Sequence, residues 1–278
     1  MNFRSLEQRH PKTLSWVVAL MTLVVSGALT IAWMSKERDA LIREQRLLAS
    51  TLAANHARII EANLRHSLSA AYTLATYVRN VENVGERFQA VTDDMLRYFP
   101  DVQSLSLSPG GIIRYASPLD ENRAAIGFNQ LADPVQGRES RLTLENNELR
   151  VAGPLRLVQG MDGIVGRYPV EAKGAFWGFA NVTMRLDSLL EVAQLGELEH
   201  QGYHYELKRL EPPPGESANI SGNAPQPLNQ PVEQRIEVPN NPWVLSIAPA
   251  GGWLQGSWHY MAWGIALLIP LLLGYLAK

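Results

Sequence analysis

The chain has no cysteine in its 278 residues, which excludes a disulfide scaffold and a cysteine-based zinc site. Neither sign of charge dominates, with 25 Lys and Arg against 27 Asp and Glu and a net charge of -2. No global basic field is present to hold nucleic acid by its phosphates, so no nucleic-acid partner is expected. The segment between the apolar ends lacks GxSxG, HExxH, P-loop and GxGxxG patterns. The common hydrolase, metalloprotease and nucleotide-binding fingerprints are therefore missing, and the chain reads as a non-enzyme with no cofactor.

What is present is unevenly spread. From Thr13 to Met34 the chain runs TLSWVVALMTLVVSGALTIAWM without a charge, and a bilayer core needs about 20 helical residues to cross. A secretory signal would carry an apolar stretch of about 7 to 15 residues and a small-x-small cleavage site. Here the stretch is longer and runs into Trp33, Met34, Lys36 and Arg38, so residues 13–34 are expected to be a transmembrane helix. Near the other end WHYMAWGIALLIPLLLGYLA, residues 258–277, is again uncharged. Trp258, Tyr260, Trp263 and Tyr275 stand there as interfacial anchors, and Pro270 as a tolerated kink. Arg4, Arg9 and Lys12 before the first span favour a cytoplasmic N-terminus for residues 1–12. The expectation is an inner-membrane, multi-pass chain whose central segment lies in the periplasm or extracellular space.

Ser35 to Arg79 contains no Gly or Pro and is rich in the good helix formers Ala, Leu, Arg and Glu. Leu41, Leu48, Leu52, Ile59, Leu64, Leu68, Ala71, Leu74 and Val78 recur mostly at three, four or seven residues. A long amphipathic stalk helix is expected within residues 35–92. Its apolar face suits either packing on the chain's own domain, favoured for the second half, or a parallel homodimer seam.

From Asp101 the pattern changes to VQSLSLS, GIIRYAS, ELRVAGPLRLV, DGIVGRYPV and AFWGFANVTMRL, separated by Gly and Pro, which indicates an antiparallel sheet. The connection after Pro118 holds a helix expected to start near Asp133, with Pro134 at its first position. Insertions of this kind often carry ligand pockets. Asp187 is placed to cap DSLLEVAQLGELE; strands YHYELKRL, QRIEV and WVLSIAPA follow, with Pro212 to Pro231 between the first two as a long surface loop. Two subdomains in tandem result, residues 93–186 and 187–257, each with helix and sheet.

Candidate chemistry is sparse. His200 and His204 in GELEHQGYHYE suggest metal ligands if helical, but Gly202 and the aromatics at 203 and 205 favour a strand or turn. There the two are simply surface histidines, and no metal is expected. Arg114, Arg138, Arg141, Arg156 and Arg167 cluster in sequence. Arg167 is the best candidate for an anionic contact because GIVGRYPV is otherwise apolar, and a charge on a covered strand face is rarely kept without a partner.

The blocks FPDVQSLSLSPGGIIRYASP, ENRAAIGFNQLADP, LRVAGPLRLVQGMDGIVGRYPV and WGFANVTMRLDSLL, in that order over residues 97 to 190, resemble the CHASE family of extracytoplasmic sensory domains. The resemblance implies an α+β fold: a long N-terminal stalk helix plus two tandem PAS-like subdomains, flanked by two transmembrane helices, with ligand in the membrane-distal subdomain. It also implies a homodimer and signal passage to a cytoplasmic histidine kinase, diguanylate cyclase or phosphodiesterase domain absent from this chain. In the plant cytokinin receptors of the family an Asp on the segment matching AIGFNQL hydrogen-bonds the adenine ring. Asn129 stands at what looks like that position, offering one acceptor and one donor group where a carboxylate offers two acceptors. The segment matching LRVAGPL closes the pocket in those receptors, which points to Val151, Ala152, Gly153 and Pro154, with Tyr115 and Pro118 beside them. A strand bulge at Gly153 and Pro154 and a core role for Tyr115 are the plain alternatives. The function expected is the sensing part of a receptor for a small molecule of unknown identity; the alternative is a membrane-anchored protein-interaction module without one.

Overall fold

The computed structural model describes residues 10–134, 137–212 and 217–253, with positions 264, 268, 269, 272 and 275 beyond them. The chain divides into two compact units, residues 1–49 with 249–278, and residues 50–248. Helix α1, His10–Asn80, belongs to both. In the first unit its apolar side chains face outward, among them Trp16, Leu20, Met21 and Leu29 at 58–66% exposure. This is the one stretch of the described residues long and apolar enough to cross a membrane, with mean hydropathy 2.1 over its best window. The expected second span, 258–277, lies outside the described residues apart from five helical positions.

Within residues 50–248, α1 buries Ala53, Ala57, Ile60, Leu64, Leu68, Ala71, Leu74, Ala75 and Val78. This three–four repeat is the stripe an amphipathic helix lays on a core. The expected packing of the second half of the stalk is found, whereas Leu48 and Ile59 are exposed. The helix does not continue to residue 92: it ends at Asn80, and α2, Val84–Tyr98, begins after a short turn. The Tyr77 hydroxyl donates to the Val84 carbonyl at 2.7 Å across that turn. Val84, Phe88, Thr92 and Met95 form the buried stripe of α2.

The first sheet has the order β2-β1-β5-β4-β3 and is antiparallel throughout. Its strands are β1 Ser104–Pro109, β2 Tyr115–Ser117, β3 Arg150–Arg156, β4 Asp162–Ala172 and β5 Ala175–Arg185. Gly110 and Gly111, at φ 60° and 87°, supply the left-handed backbone that the turn after β1 requires. One face, with Leu105, Leu107, Ala180 and Val182, is fully buried. There α1 comes so close that a Cβ at Gly166 would lie 2.2 Å from Leu68 Cδ2.

Short helices α3, Leu119–Asn122, and α4, Gly137–Asn146, cover the opposite face with the loops around them. The described part of α4 begins at Gly137, whose amide donates to the Asp133 carbonyl at 2.9 Å; residues 135 and 136, next to the expected start near Asp133, lie outside the described residues.

After β5 come α5, Leu186–Val192, and α6, Leu195–His200. They are not one helix capped by Asp187: Asp187 sits in the first turn, and Gln194 at φ 52° breaks the helical path. The second sheet, β7-β6-β9-β8, uses β6 Tyr203–Arg209, β7 Asn219–Gly222, β8 Val232–Ile236 and β9 Trp243–Pro249. Strand β7 lies inside the stretch read as pure loop, because Asn219 to Gly222 pair with Lys208 to Glu206. Leu207, Ile236, Trp243, Leu245 and Ile247 form its core. The α+β architecture, with a long helix and two antiparallel sheets, is the one expected.

Candidate ligand site

Strand β1 alternates serine and leucine. A polar period-two face usually meets water, yet Ser104, Ser106 and Ser108 are only 3%, 7% and 0% exposed. The pairing register puts Ser106 opposite Asn181, Asn181 opposite Arg167, and Arg167 opposite Arg150. Directly opposed residues share a face of the sheet, so one polar row crosses four strands beneath the covering loops.

Asn181 is the hub of that row. Its Nδ2 donates to Ser108 Oγ at 2.8 Å and Ser106 Oγ at 3.2 Å. Its Oδ1 accepts from Gln130 Nε2 at 3.2 Å and Arg167 Nε at 3.3 Å. Arg167 is 1% exposed. Burial pushes its guanidinium down to about 10, against the opposing pull of Glu139 and Asp133. It therefore stays cationic at neutral pH, 5.8 Å from the centre of the Phe179 ring. Glu139 is largely buried as well and pairs with Arg150 at 3.1 Å.

Above the row lies a cavity of about 30 Å³ lined by Ser104, Ser106, Phe128, Gln130, Val158 and Thr183 among others, room for about two water molecules. Gln130 is 2% exposed, and its Oε1 has no hydrogen-bond partner. A buried acceptor left unpaired costs about 1–3 kcal/mol. The covering loop is fastened to the turn after β1 by Ile113 N donating to Phe128 O at 3.0 Å, Gly127 N to Ile113 O at 2.8 Å and Gln130 N to Gly111 O at 2.9 Å. On the far side, Gln159 Nε2 donates to Asn122 Oδ1 at 3.0 Å and joins the covering loop to the β3–β4 turn.

Of the residues singled out in the sequence, Arg167 belongs to this row and the others stand apart from the cavity. Asn129 is exposed, and its Oδ1 accepts the Leu131 and Ala132 amides, both at 3.1 Å, to close a local turn. The neighbouring Gln130 is the side chain that points inward. Tyr115 lies on the other face of the sheet, 5.6 Å from the Phe88 ring. Pro118 contributes its carbonyl to Asn122 Nδ2 at 2.7 Å.

Val151 N donates to Asn240 Oδ1 at 2.7 Å and its carbonyl accepts from Asn240 Nδ2 at 3.2 Å. Ala152 is on the cavity side of the sheet by its pairing with Val165. Gly153 and Pro154 form a bulge there; at φ 106° a Cβ on Gly153 would meet the Gly163 carbonyl at 2.6 Å. His200 ends α6 while His204 lies on β6. Among the described residues no cluster of three or more His, Asp or Glu is suited to a metal.

Sequence reasoning passes over Ser106, Ser108, Gln130, Asn181 and Thr183. The strand residues carry a signal in SLSLS and NVT, whose period puts the polar residues on one face, whereas Gln130 lies on an irregular loop with no period to mark it. Nothing in the sequence says that this face is covered.

The long helix with two antiparallel sheets is the fold of extracellular sensory domains. It is similar to an extracellular ligand binding receptor from Desulfohalobium retbaense DSM5692, at 13% identity over 72% of this chain and TM-score 0.58; the chain spans 40% of that protein. It is also similar to the ligand-binding domain of the Pseudomonas aeruginosa PAO1 amino acid chemoreceptor PctC in complex with GABA, at 16% identity over 73% of this chain and 98% of that one, TM-score 0.54. A third is the sensory domain of the Campylobacter jejuni chemoreceptor Tlp3 with isoleucine bound, at 11% identity over 77% and 96%, TM-score 0.52. At these identities the likeness is one of fold. No curated protein sequence matches the chain. The CHASE domain model matches residues 60–217, more than half of the sequence, and the chain belongs to the CHASE domain family.

Proposed function

We propose that this chain is the sensing part of a transmembrane receptor that binds a small molecule over the polar row of the first sheet. The observation that carries the reading is the buried, partnerless Oε1 of Gln130 at a cavity on that row. An acceptor at a polar-lined cavity is a place where a donor group of a bound molecule can pair. The binding set proposed is Gln130, Asn181, Ser106 and Thr183, with Arg167 holding Asn181 from behind.

Occupancy shifts the equilibrium between two arrangements of the covering loop and sheet. Helix α1, whose Leu68 packs on Gly166 of the same sheet, carries the change toward the membrane. The output is a cytoplasmic histidine kinase, diguanylate cyclase or phosphodiesterase. Residues 13–34 and 258–277 form the two spans, and two copies of the stalk pair along the face that leaves Leu48 and Ile59 exposed. The small volume of the cavity, about 30 Å³, is the observation that favours the other reading, a membrane-anchored interaction module with no small ligand.

Thermal unfolding of the full chain in lipid nanodiscs, against a panel of purines, amino acids and organic acids, separates the two. Binding to the folded state stabilises by RT ln(1 + [L]/Kd), about 2.7 kcal/mol at 100 Kd. A shift confined to one chemical class, and lost on Asn181→Ala, is the result expected of a sensor. A well-folded chain that no class shifts is the result expected of an interaction module.

A further inference from the structure

The charge at the cavity narrows what it holds. Among the described residues the lining is made of Ser, Thr, Asn, Gln and apolar side chains, and none of it is ionisable. Arg167 lies behind Asn181, reaching the row through its Nε, and its field is opposed by Glu139 and Asp133. Glu139 is itself engaged by Arg150. A carboxylate or ammonium group placed in the cavity would lose its hydration and meet no opposite charge at the wall, which costs several kcal/mol per ion. The strongest unmet demand is that of Gln130 Oε1, an acceptor that takes an N–H or O–H. Phe128, Ile113, Leu157, Val158 and Val165 supply apolar wall.

We infer that the cavity selects an uncharged small molecule whose N–H or O–H group donates to Oε1 of Gln130 and whose body packs on the apolar wall around Phe128 and Val158. This rests on the sensor reading and names its ligand class. The occupant replaces about two waters' worth of volume and needs more space than that, so the covering loop and the β3–β4 turn part at their Asn122–Gln159 hydrogen bond. Val158, 46% exposed, stands at this mouth. The chemoreceptor domains of similar fold carry GABA or isoleucine, both of which bring charges that this lining does not match.

The test is calorimetric titration of the full chain in nanodiscs with matched pairs: nicotinamide against nicotinate, isobutyramide against isobutyrate, and GABA and L-isoleucine as charged arms. Binding by neutral members, with each carboxylate weaker by about tenfold or more, is the expected result. Gln130→Leu should abolish that binding; it gives up the Nε2 hydrogen bond to Asn181 along with the partnerless acceptor, so the variant is titrated where circular dichroism and a cooperative melt show it folded. Val158→Trp, at an exposed position, should block the mouth and abolish binding without touching the fold. Equal or tighter binding of the charged members, lost on Val158→Trp, overturns the neutral class and leaves the sensor reading standing. Binding by no member, neutral or charged, overturns both. Neutral binding that survives both variants overturns the assignment to this cavity.

Discussion

The two sheets are built from similar alternating strands, yet they cover different interiors. In the second sheet the buried strand residues include Leu207, Ile236, Trp243, Leu245 and Ile247, a core that gains its stability from apolar area removed from water. In the first, one face is equally apolar, while the other buries Ser106, Ser108, Asn181 and Arg167. Polar groups held out of water with geometry left to fill serve specificity and not stability. The second subdomain also has partnerless buried atoms, His204 Nδ1 and Asn223 Nδ2. Neither residue lines the cavity described above. On the proposed reading, ligand recognition belongs to the first sheet and a supporting role to the second.

Four substitutions probe this contrast. Trp243→Ala empties the apolar core of the second sheet and should cost about 3–5 kcal/mol, read as a lower urea midpoint, while ligand affinity in the surviving folded fraction stays the same. Asn181→Ala should cost about 2–3 kcal/mol, because Ser106, Ser108, Gln130 and Arg167 each lose a hydrogen-bond partner, and here binding should fall with stability. Gly166→Ala should cost about 1–3 kcal/mol by overpacking against Leu68, measurable as a drop in melting temperature. Its expected secondary effect is on coupling to α1, not on occupancy of the cavity. Asn129→Ala should cost only about 1 kcal/mol, the value of its turn hydrogen bonds, and leave binding intact; a binding loss as large as that of Asn181→Ala would return Asn129 to the site.

Much of this architecture is legible in the chain because its periods are clean. The repeat through Leu64, Leu68, Ala71, Leu74 and Val78 marks a helix with one buried side, and SLSLS, GIVGRYPV and AFWGFANVTMRL mark strands. The end of α1 at Asn80 was harder to see, since no Gly or Pro stands between Asn80 and Asn83 and the turn is fastened by Tyr77. Strand β7 was hidden because Asn219, Ser221 and Gly222 are turn formers, and only pairing with β6 makes them a strand.

For the site, Arg167 stood out as a charge in an apolar strand, and its burial follows that logic. Asn129 and Gln130 illustrate the opposite case. Adjacent residues on an irregular loop point in directions no period dictates, so Asn129 closes a turn while Gln130 faces the cavity. Gly153 is explained by the backbone, because its left-handed φ and the Gly163 carbonyl leave no room for a side chain.

On the proposed function the covered polar face of the first sheet, and not the second sheet, takes the ligand. Hydrogen–deuterium exchange of the full chain in nanodiscs, with and without the compound that raises its melting temperature, tests this most directly. Slower exchange at residues 111–131 and 157–160, with residues 203–247 unchanged, is the expected result. Protection confined to residues 203–247, or no protection anywhere in residues 104–185, would contradict it.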